Sequence, residues 1–466
     1  MNDNARPYSG PTSRIERFPW LMFLFLAVVF FVCNHDPYLS KKGVASFNPS
    51  EGDLVTGVDA HSLIRRIAFL SLGLFALATL IRRRGARLRI NGSLGWAMLF
   101  FAGWAVLSLA WAEDAVLTLR GLAAFGVLCL AAAAIARRCS LREVVLFTFF
   151  CGILFLLIGV SAELLLGTFH PFAPGYRFAG TLHPNHEGIN CALLLLSGVA
   201  AADMERRGRM LFRACAALGL VFLVLTASRT AFAAAIIALA VYLAAKRSRR
   251  DKLLLGLSIG IAFSLFLLVT EAAPYSALQR AALLGRDDAP SESLNGRTGV
   301  WEECRRYVDR RPMFGYGFGG FWSERHIAEI SDAQKWGVAQ GHSSYVECLL
   351  DLGLVGLATF VLVLIGGIAR SLAFHRTSRA PAFAFTGAFL TFCVANGLLE
   401  SAVLRSLQLT VLALVVLIEL GFRRHEFGVR RYLSYASSRY YRCGMHIQQG
   451  RHASKRPAKP HTTGNG

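Results

Sequence analysis

Polar clusters break this chain into apolar runs of roughly 18–20 residues, and each run is long enough to cross a ~30 Å hydrocarbon layer. The runs predict helices near 19–33, 63–81, 94–111, 115–136, 144–166, 186–202, 211–227, 231–245, 253–270, 344–369, 381–399 and 404–421. A soluble domain does not repeat such runs. The expected fold is an all-α polytopic membrane protein with about 12 transmembrane helices. The first run, "PWLMFLFLAVVFFVC", is followed by "NHDPYL". That is not a small-residue cleavage site, so the run reads as a retained span.

The pattern divides the chain into a short N-terminal segment (1–18), helices 1–9 (19–270), a large loop (271–343), helices 10–12 (344–421) and a basic tail (422–466) expected to be disordered. The net charge is +21, which invites a nucleic-acid reading. Its distribution argues otherwise. "RRRGARLR", "RRCSLR", "ERRGR", "KRSRRDK" and "RSLAFHRTSR" fall at every second connection. With the tail and N-terminal segment they hold roughly 33 of the 50 Lys and Arg, the asymmetry of a cytoplasmic face. Both termini are then cytoplasmic, with 34–62 and 271–343 on the non-cytoplasmic side. A loop as long as the second is functional or disordered. Its aromatics, a helical stretch at Val300–Arg310 and the glycine-rich bend "DRRPMFGYGFGGFW" after it predict a folded loop between helices 9 and 10. The cysteines are scattered singly, which argues against a disulfide framework or structural zinc.

Polar residues gather at the non-cytoplasmic ends of the predicted spans. Arg229, in "TASRTAF", sits in a short connection between two apolar runs on the side where arginine is scarce. A guanidinium there serves as a fork for phosphate or carboxylate, or as a snorkelling flank. Arg177 ("RFAGT") and Arg297 ("GRTG") are loop arginines with the same two readings. In "HPNHE", His183 and His186 are three apart, but Pro184 interrupts the helix face and no third ligand follows at metal spacing. Asn185 reads as the cap of the sixth span with Glu187 in its first turn, and His186 as a residue facing the site. In "GHSSYVECLLDLG", Ser344 and Glu347 fit a capping box. Asp351, one turn on, repels Glu347, so each acid needs a partner. His342 lies just outside that helix N-terminus, a position that favours anions, and its imidazole can take a proton near neutral pH. No nucleotide-binding motif is present, and no cofactor or metal is expected. Energy for any synthesis must then reside in the substrate.

Taken in order, "R-F-A-G-T…H-P-N" from Arg177, "S-R-T" at Ser228, "G-R-T-x-x-W" at Gly296, "R-P-x-x-G-Y-G-x-G-x-F-W" from Arg311 and "H-S-S-Y-V-E-x-L-L-D-L-G" from His342 resemble the O-antigen ligase and polymerase superfamily. "RPMFGYGFGGFW" is most similar to exopolysaccharide polymerases, and "LSLAWAEDAVLTLRG" resembles the family's early membrane segment. The resemblance implies a GT-C-like membrane glycosyltransferase of the bacterial inner membrane, with its active site facing the periplasm. Such an enzyme moves a glycan from undecaprenyl pyrophosphate to a sugar hydroxyl, without metal and with inversion. It implies His342 as the catalytic base and Arg229 and Arg297 on the pyrophosphate, with Arg177 in support. Asn185, His186 and Asp351 are the supporting residues. The family often has asparagine after the histidine; here it is Ser343. The leading expectation is a polymerase of lipid-linked repeat units. The alternatives are a ligase passing glycan to lipid A core, a protein O-glycosyltransferase, or a lipid-linked sugar transporter or flippase. A transporter would show broken helices, midplane charges or repeats, and none is clear in the sequence.

Overall fold

The structure is a computed structural model that describes residues 19–34, 63–82, 85–173, 175–247 and 297–423. Among these residues it is all-helical. The helices are α1 (Trp20–Asn34), α2 (Leu63–Ile81), α3 (Gly92–Leu107), α4 (Ala115–Arg138), α5 (Leu141–Leu166), α6 (Pro184–Met204), α7 (Arg209–Leu225) and α8 (Arg229–Lys246). They continue as α9 (Arg297–Arg310), α10 (Glu324–Gln334), α11 (Ser344–Ser378), α12 (Pro381–Gly397), α13 (Ala402–Arg405) and α14 (Leu407–Phe422). A helix stands at each span read from the apolar runs except 253–270, which lies outside the described residues, as do the 34–62 connection beyond Asn34, the 271–296 part of the large loop and the tail. Among the described residues, six helices are long and apolar enough to cross a membrane: α3 with the turn after it, α4, α5, α6, α8 and α11. Helices α1, α12, α14 and the Arg66–Ile81 part of α2 are shorter but apolar.

Helix α6 is buried along most of its length, packed by α5, α7 and α8. Helix α12 is equally enclosed, between α8 and α11. The outer helices expose Leu70, Leu74, Leu165, Val221 and Ile237, an apolar surface suited to lipid rather than water. Helix starts follow local chemistry. Ser140 and Glu143 form a reciprocal capping box on α5, and Asp114 accepts from Leu117 N–H at the start of α4.

The loop before α11 has its own small core. Val300, Cys304 and Tyr307 of α9 pack with Tyr316, Phe321, Trp322 and with Ile327 and Ile330 of α10. Helix α9 begins at Arg297 and ends at Arg310, just before Pro312, close to the helix expected there. Helix α10 was not expected, although Ser323 caps it and Ile327 and Ile330 mark its inner face.

Helix α11 is broken, contrary to the sequence expectation of no clear break. Gly353 has φ 66° and ψ −167°. Four backbone groups at the break are bonded by the glycine-rich segment and one tryptophan. Tyr316 N–H donates to Leu350 O (2.9 Å), Gly317 N–H to Asp351 O (2.9 Å), and Trp104 Nε1 to Leu352 O (3.1 Å). Leu354 N–H donates to Pro312 O (2.8 Å). A Cβ on Gly353 would lie 2.3 Å from the Met313 carbonyl, so only glycine admits this close crossing. The "RPMFGYG" stretch is therefore a plug seated in the break.

Candidate functional site

The sequence-selected residues Arg177, Asn185 and Arg297 meet in one hydrogen-bonded chain. Arg177 Nη2 donates to Asn185 Oδ1 (3.0 Å), and Asn185 Nδ2 donates to Glu400 Oε1 (2.9 Å). Arg297 Nη2 donates to that same oxygen at 2.7 Å, in an ion pair whose side chains are only 12% and 8% exposed. Ion pairs this dry keep their geometry, because leaving either charge unpaired is costly. Arg177 Nε also donates to Thr226 O (3.1 Å), near the end of α7. Three residues on, Arg229 opens α8, half-buried. The connection is tight. Ala227 adopts φ 48°, and Gly188 of α6 lies so close that a Cβ would meet Ser228 Cβ at 2.8 Å. The starts of α6 and α8 are thus held together beside the Arg177 head.

Glu400 did not stand out in the sequence. It is 6% exposed, and its backbone oxygen also accepts from Ser344 N–H (3.2 Å) and Ser344 Oγ (2.9 Å). It therefore joins the arginine network to the start of α11. Glu163 was missed as well. Its Oε1 accepts from Ala179 N–H (2.9 Å) and Gly180 N–H (2.8 Å), and its Oε2 accepts from the Tyr176 hydroxyl. This buried carboxylate shapes the loop that carries Arg177. Burial, and then the bond to Glu163, push the Tyr176 phenol up, so it stays a donor.

His342 sits at the mouth of α11 with φ 49°, a strained value for a residue with a side chain. Its ring lies 6.1 Å from that of Trp336. On one side Trp301 Nε1 donates to Gly341 O (2.8 Å), and on the other Ser343 caps the helix. Burial, then the positive fields of Arg297 and Arg405, push the imidazole down to about 4. The ring is consequently neutral at physiological pH and able to accept a proton.

Three local expectations are corrected. The N-cap of α11 is Ser343, whose hydroxyl accepts from Val346 N–H, and not Ser344; the register is shifted by one, so Glu347 is not part of a capping box. Glu347 instead accepts from Gly341 N–H (2.6 Å), Ser401 Oγ (3.1 Å) and Trp322 Nε1 (2.9 Å), and pairs with Arg405 at 3.3 Å. It is the buried post that fixes the residue before His342. The cap of α6 is His183, whose Nδ1 accepts from Asn185 N–H (3.2 Å), and not Asn185, because Pro184 takes the first helical position and frees the Asn185 side chain for the network.

The remaining selected residues lie apart from this network. His186 lines a small pocket with Asn34, Asn190 and Gln408, its ring 6.3 Å from that of His183. Asp351 lies at the plug, where its Oδ2 accepts from Gly319 N–H (2.8 Å). The partner that the sequence left unnamed is thus a backbone amide. Among the described residues no group of three His, Cys, Asp or Glu is placed to hold a metal ion.

An all-helical membrane protein with a dry arginine–carboxylate network beside a half-buried histidine is the class that fold and site define. Residues 214–361 match the family model described as O-antigen ligase, in keeping with the O-antigen ligase and polymerase superfamily that the motifs resemble. The match takes in Arg229, Arg297, His342, the plug and the break in α11. A search of curated proteins returned no match. The match supports a ligase- or polymerase-type role in surface-glycan assembly, with a lipid-linked glycan and an acceptor as its general partners.

Proposed function

We propose that the protein is a membrane glycosyltransferase that transfers or polymerises oligosaccharide repeat units carried on undecaprenyl pyrophosphate, at the periplasmic face of the inner membrane. The observation that carries this reading is the neutral imidazole of His342 set beside Arg297, itself tied through Glu400 and Asn185 to Arg177.

The chemistry follows from the charges. An acceptor sugar hydroxyl attacks the anomeric carbon from the face opposite the pyrophosphate. His342 takes the hydroxyl proton as the new C–O bond forms. The anomeric C–O bond breaks, and its electrons pass to the pyrophosphate, whose growing negative charge is met by Arg297 and Arg229. Arg177 supports the same anion through the network. Bond-making and bond-breaking on opposite faces invert the anomeric configuration. Glu400 orients the Arg297 guanidinium, and Glu347 fixes the backbone leading into His342.

The broken α11 is a feature also found in transporters. Here its freed groups are bonded to the plug and to Trp104, so the break anchors the loop that frames His342. That favours an enzyme over a flippase. The test is reconstitution with undecaprenyl-pyrophosphate-linked repeats, comparing wild type with His342→Ala. Polymer growth that is lost in the variant supports the reading. Carrier release that requires a lipid A core acceptor would make the enzyme a ligase.

A further inference from the structure

The reaction proposed above brings an acceptor hydroxyl to His342, and the arginines serve only the leaving group. The tryptophans narrow the search for what holds the acceptor. Trp20 and Trp96 are exposed near the starts of α1 and α3, as interfacial anchors are. Four others are tied into the fold by their indole N–H. Trp104 donates to Leu352 O, Trp111 to Phe314 O, Trp301 to Gly341 O and Trp322 to Glu347 Oε2. Trp336 is the seventh. Among the described residues its side chain has no hydrogen-bond partner, it is 41% exposed, and its ring contact is with His342.

The chain around Trp336 is built to present it. Lys335 ends α10 at φ 62°, a left-handed turn that carries the chain away from the helix. Beyond it Val338 is buried, its N–H donating to Ser331 Oγ (2.9 Å). Ala339 O accepts from Arg405 (2.8 Å), and Gly341 is held by Glu347 and Trp301. Val338 enters the loop core while the indole, two residues earlier, stays outside it. The indole centre lies 6.1 Å from that of the imidazole, with the two planes 35° apart. Among the described residues neither imidazole nitrogen has a hydrogen-bond partner.

An aromatic face beside a proton acceptor matches the two sides of a sugar. A pyranose with three axial C–H bonds on one face turns weakly positive hydrogens to the negative face of an indole. Its carbons then lie about 4 Å from the ring. Its hydroxyls project from the rim, where one can reach an imidazole nitrogen at roughly 3 Å. We propose that Trp336 is the platform on which the acceptor's terminal pyranose stacks, selecting a gluco- or galacto-configured sugar whose stacked face carries only C–H and aiming one hydroxyl at His342. The word acceptor rests on the glycosyl-transfer reading. The binding of sugar to Trp336 is tested without it.

The full-length protein in phosphatidylcholine nanodiscs is mixed with methyl β-glucoside or methyl β-galactoside, and saturation-transfer NMR records which sugar protons receive magnetisation. With at least one of the two sugars, wild type is expected to saturate the axial protons of one face most strongly. Trp336→Ala is expected to lower that signal roughly fivefold or more, and Trp336→Phe, which keeps an aromatic face, to retain most of it. His342→Ala is expected to keep it. Thermal midpoints show that the variants are folded, and Trp336→Leu, apolar but without a π face, repeats the test if the alanine variant unfolds. An undiminished signal in Trp336→Ala or Trp336→Leu, the result for a tryptophan that only anchors the loop at the membrane surface, would overturn the proposal. So would no saturation of either sugar by wild type, or saturation spread evenly over all ring protons. Failure of the transfer reading shows elsewhere, as glycan transfer that survives His342→Ala, and leaves the NMR result standing.

Discussion

At the scale of single residues, the environment of His342 sets how its chemistry responds to pH. A base must be neutral to act, so activity falls as pH drops through its pKa. In the free protein, burial and the arginines hold the imidazole down to about 4. The acid limb of kcat/KM, which reports the free enzyme, is predicted near that pH. Bound pyrophosphate balances Arg297, which raises the proton affinity of the ring. The acid limb of kcat is therefore predicted at higher pH than that of kcat/KM, and a pH–rate series on the reconstituted enzyme checks the order. Glu400→Gln keeps an oxygen for Asn185 but removes the charge opposing Arg297. Transfer is predicted to fall roughly tenfold, with fold and thermal midpoint largely kept, because a charge-assisted bond is replaced by a neutral one. His342 and Asn185 could be picked out in the sequence as polar residues at the starts of apolar runs, whereas Arg177 and Arg297 were loop arginines that the family resemblance singled out. Glu400 was not. A lone acid in "GLLESAVLRS" reads as a solvated span end, and its partners Asn185 and Arg297 are remote in sequence.

At the scale of elements, the plug and the loop carrying Arg177 depend on contacts that local sequence does not announce. Gly353 sits in "LDLGLVG", where an isolated glycine is compatible with an unbroken helix. The break is decided by carbonyls and amides of residues 312–317 arriving from another part of the chain. Gly353→Ala must place a methyl 2.3 Å from the Met313 carbonyl at a positive φ. We expect a loss of roughly 3 kcal/mol or more, seen as a lowered thermal midpoint in detergent and poor recovery of folded protein. Glu163→Ala removes three hydrogen bonds from the 176–180 loop. Its predicted cost is roughly 2–4 kcal/mol, with a rise in donor KM as Arg177 loses its placement. The α10 helix did have a signal, a serine cap followed by isoleucines one turn apart, which the surrounding charges obscured.

At the scale of the whole molecule, the apolar runs within the described residues were read nearly to their ends. Membrane helices are long, and their backbone bonds are satisfied within the segment, so composition alone locates them. What composition does not reveal is which helix ends meet. Here Glu400 joins α6, α9 and α11, and Glu347 of α11 joins Gly341, beside His342, to α13. The central claim is that this histidine accepts the proton of the acceptor hydroxyl. Its direct test is a single-turnover transfer assay in proteoliposomes carrying undecaprenyl-pyrophosphate-linked repeats, with donor binding measured in parallel. His342→Ala is predicted to lower the transfer rate by roughly 10²–10⁴-fold while donor affinity stays within about threefold of wild type. Transfer at the wild-type rate in that variant would contradict the assignment.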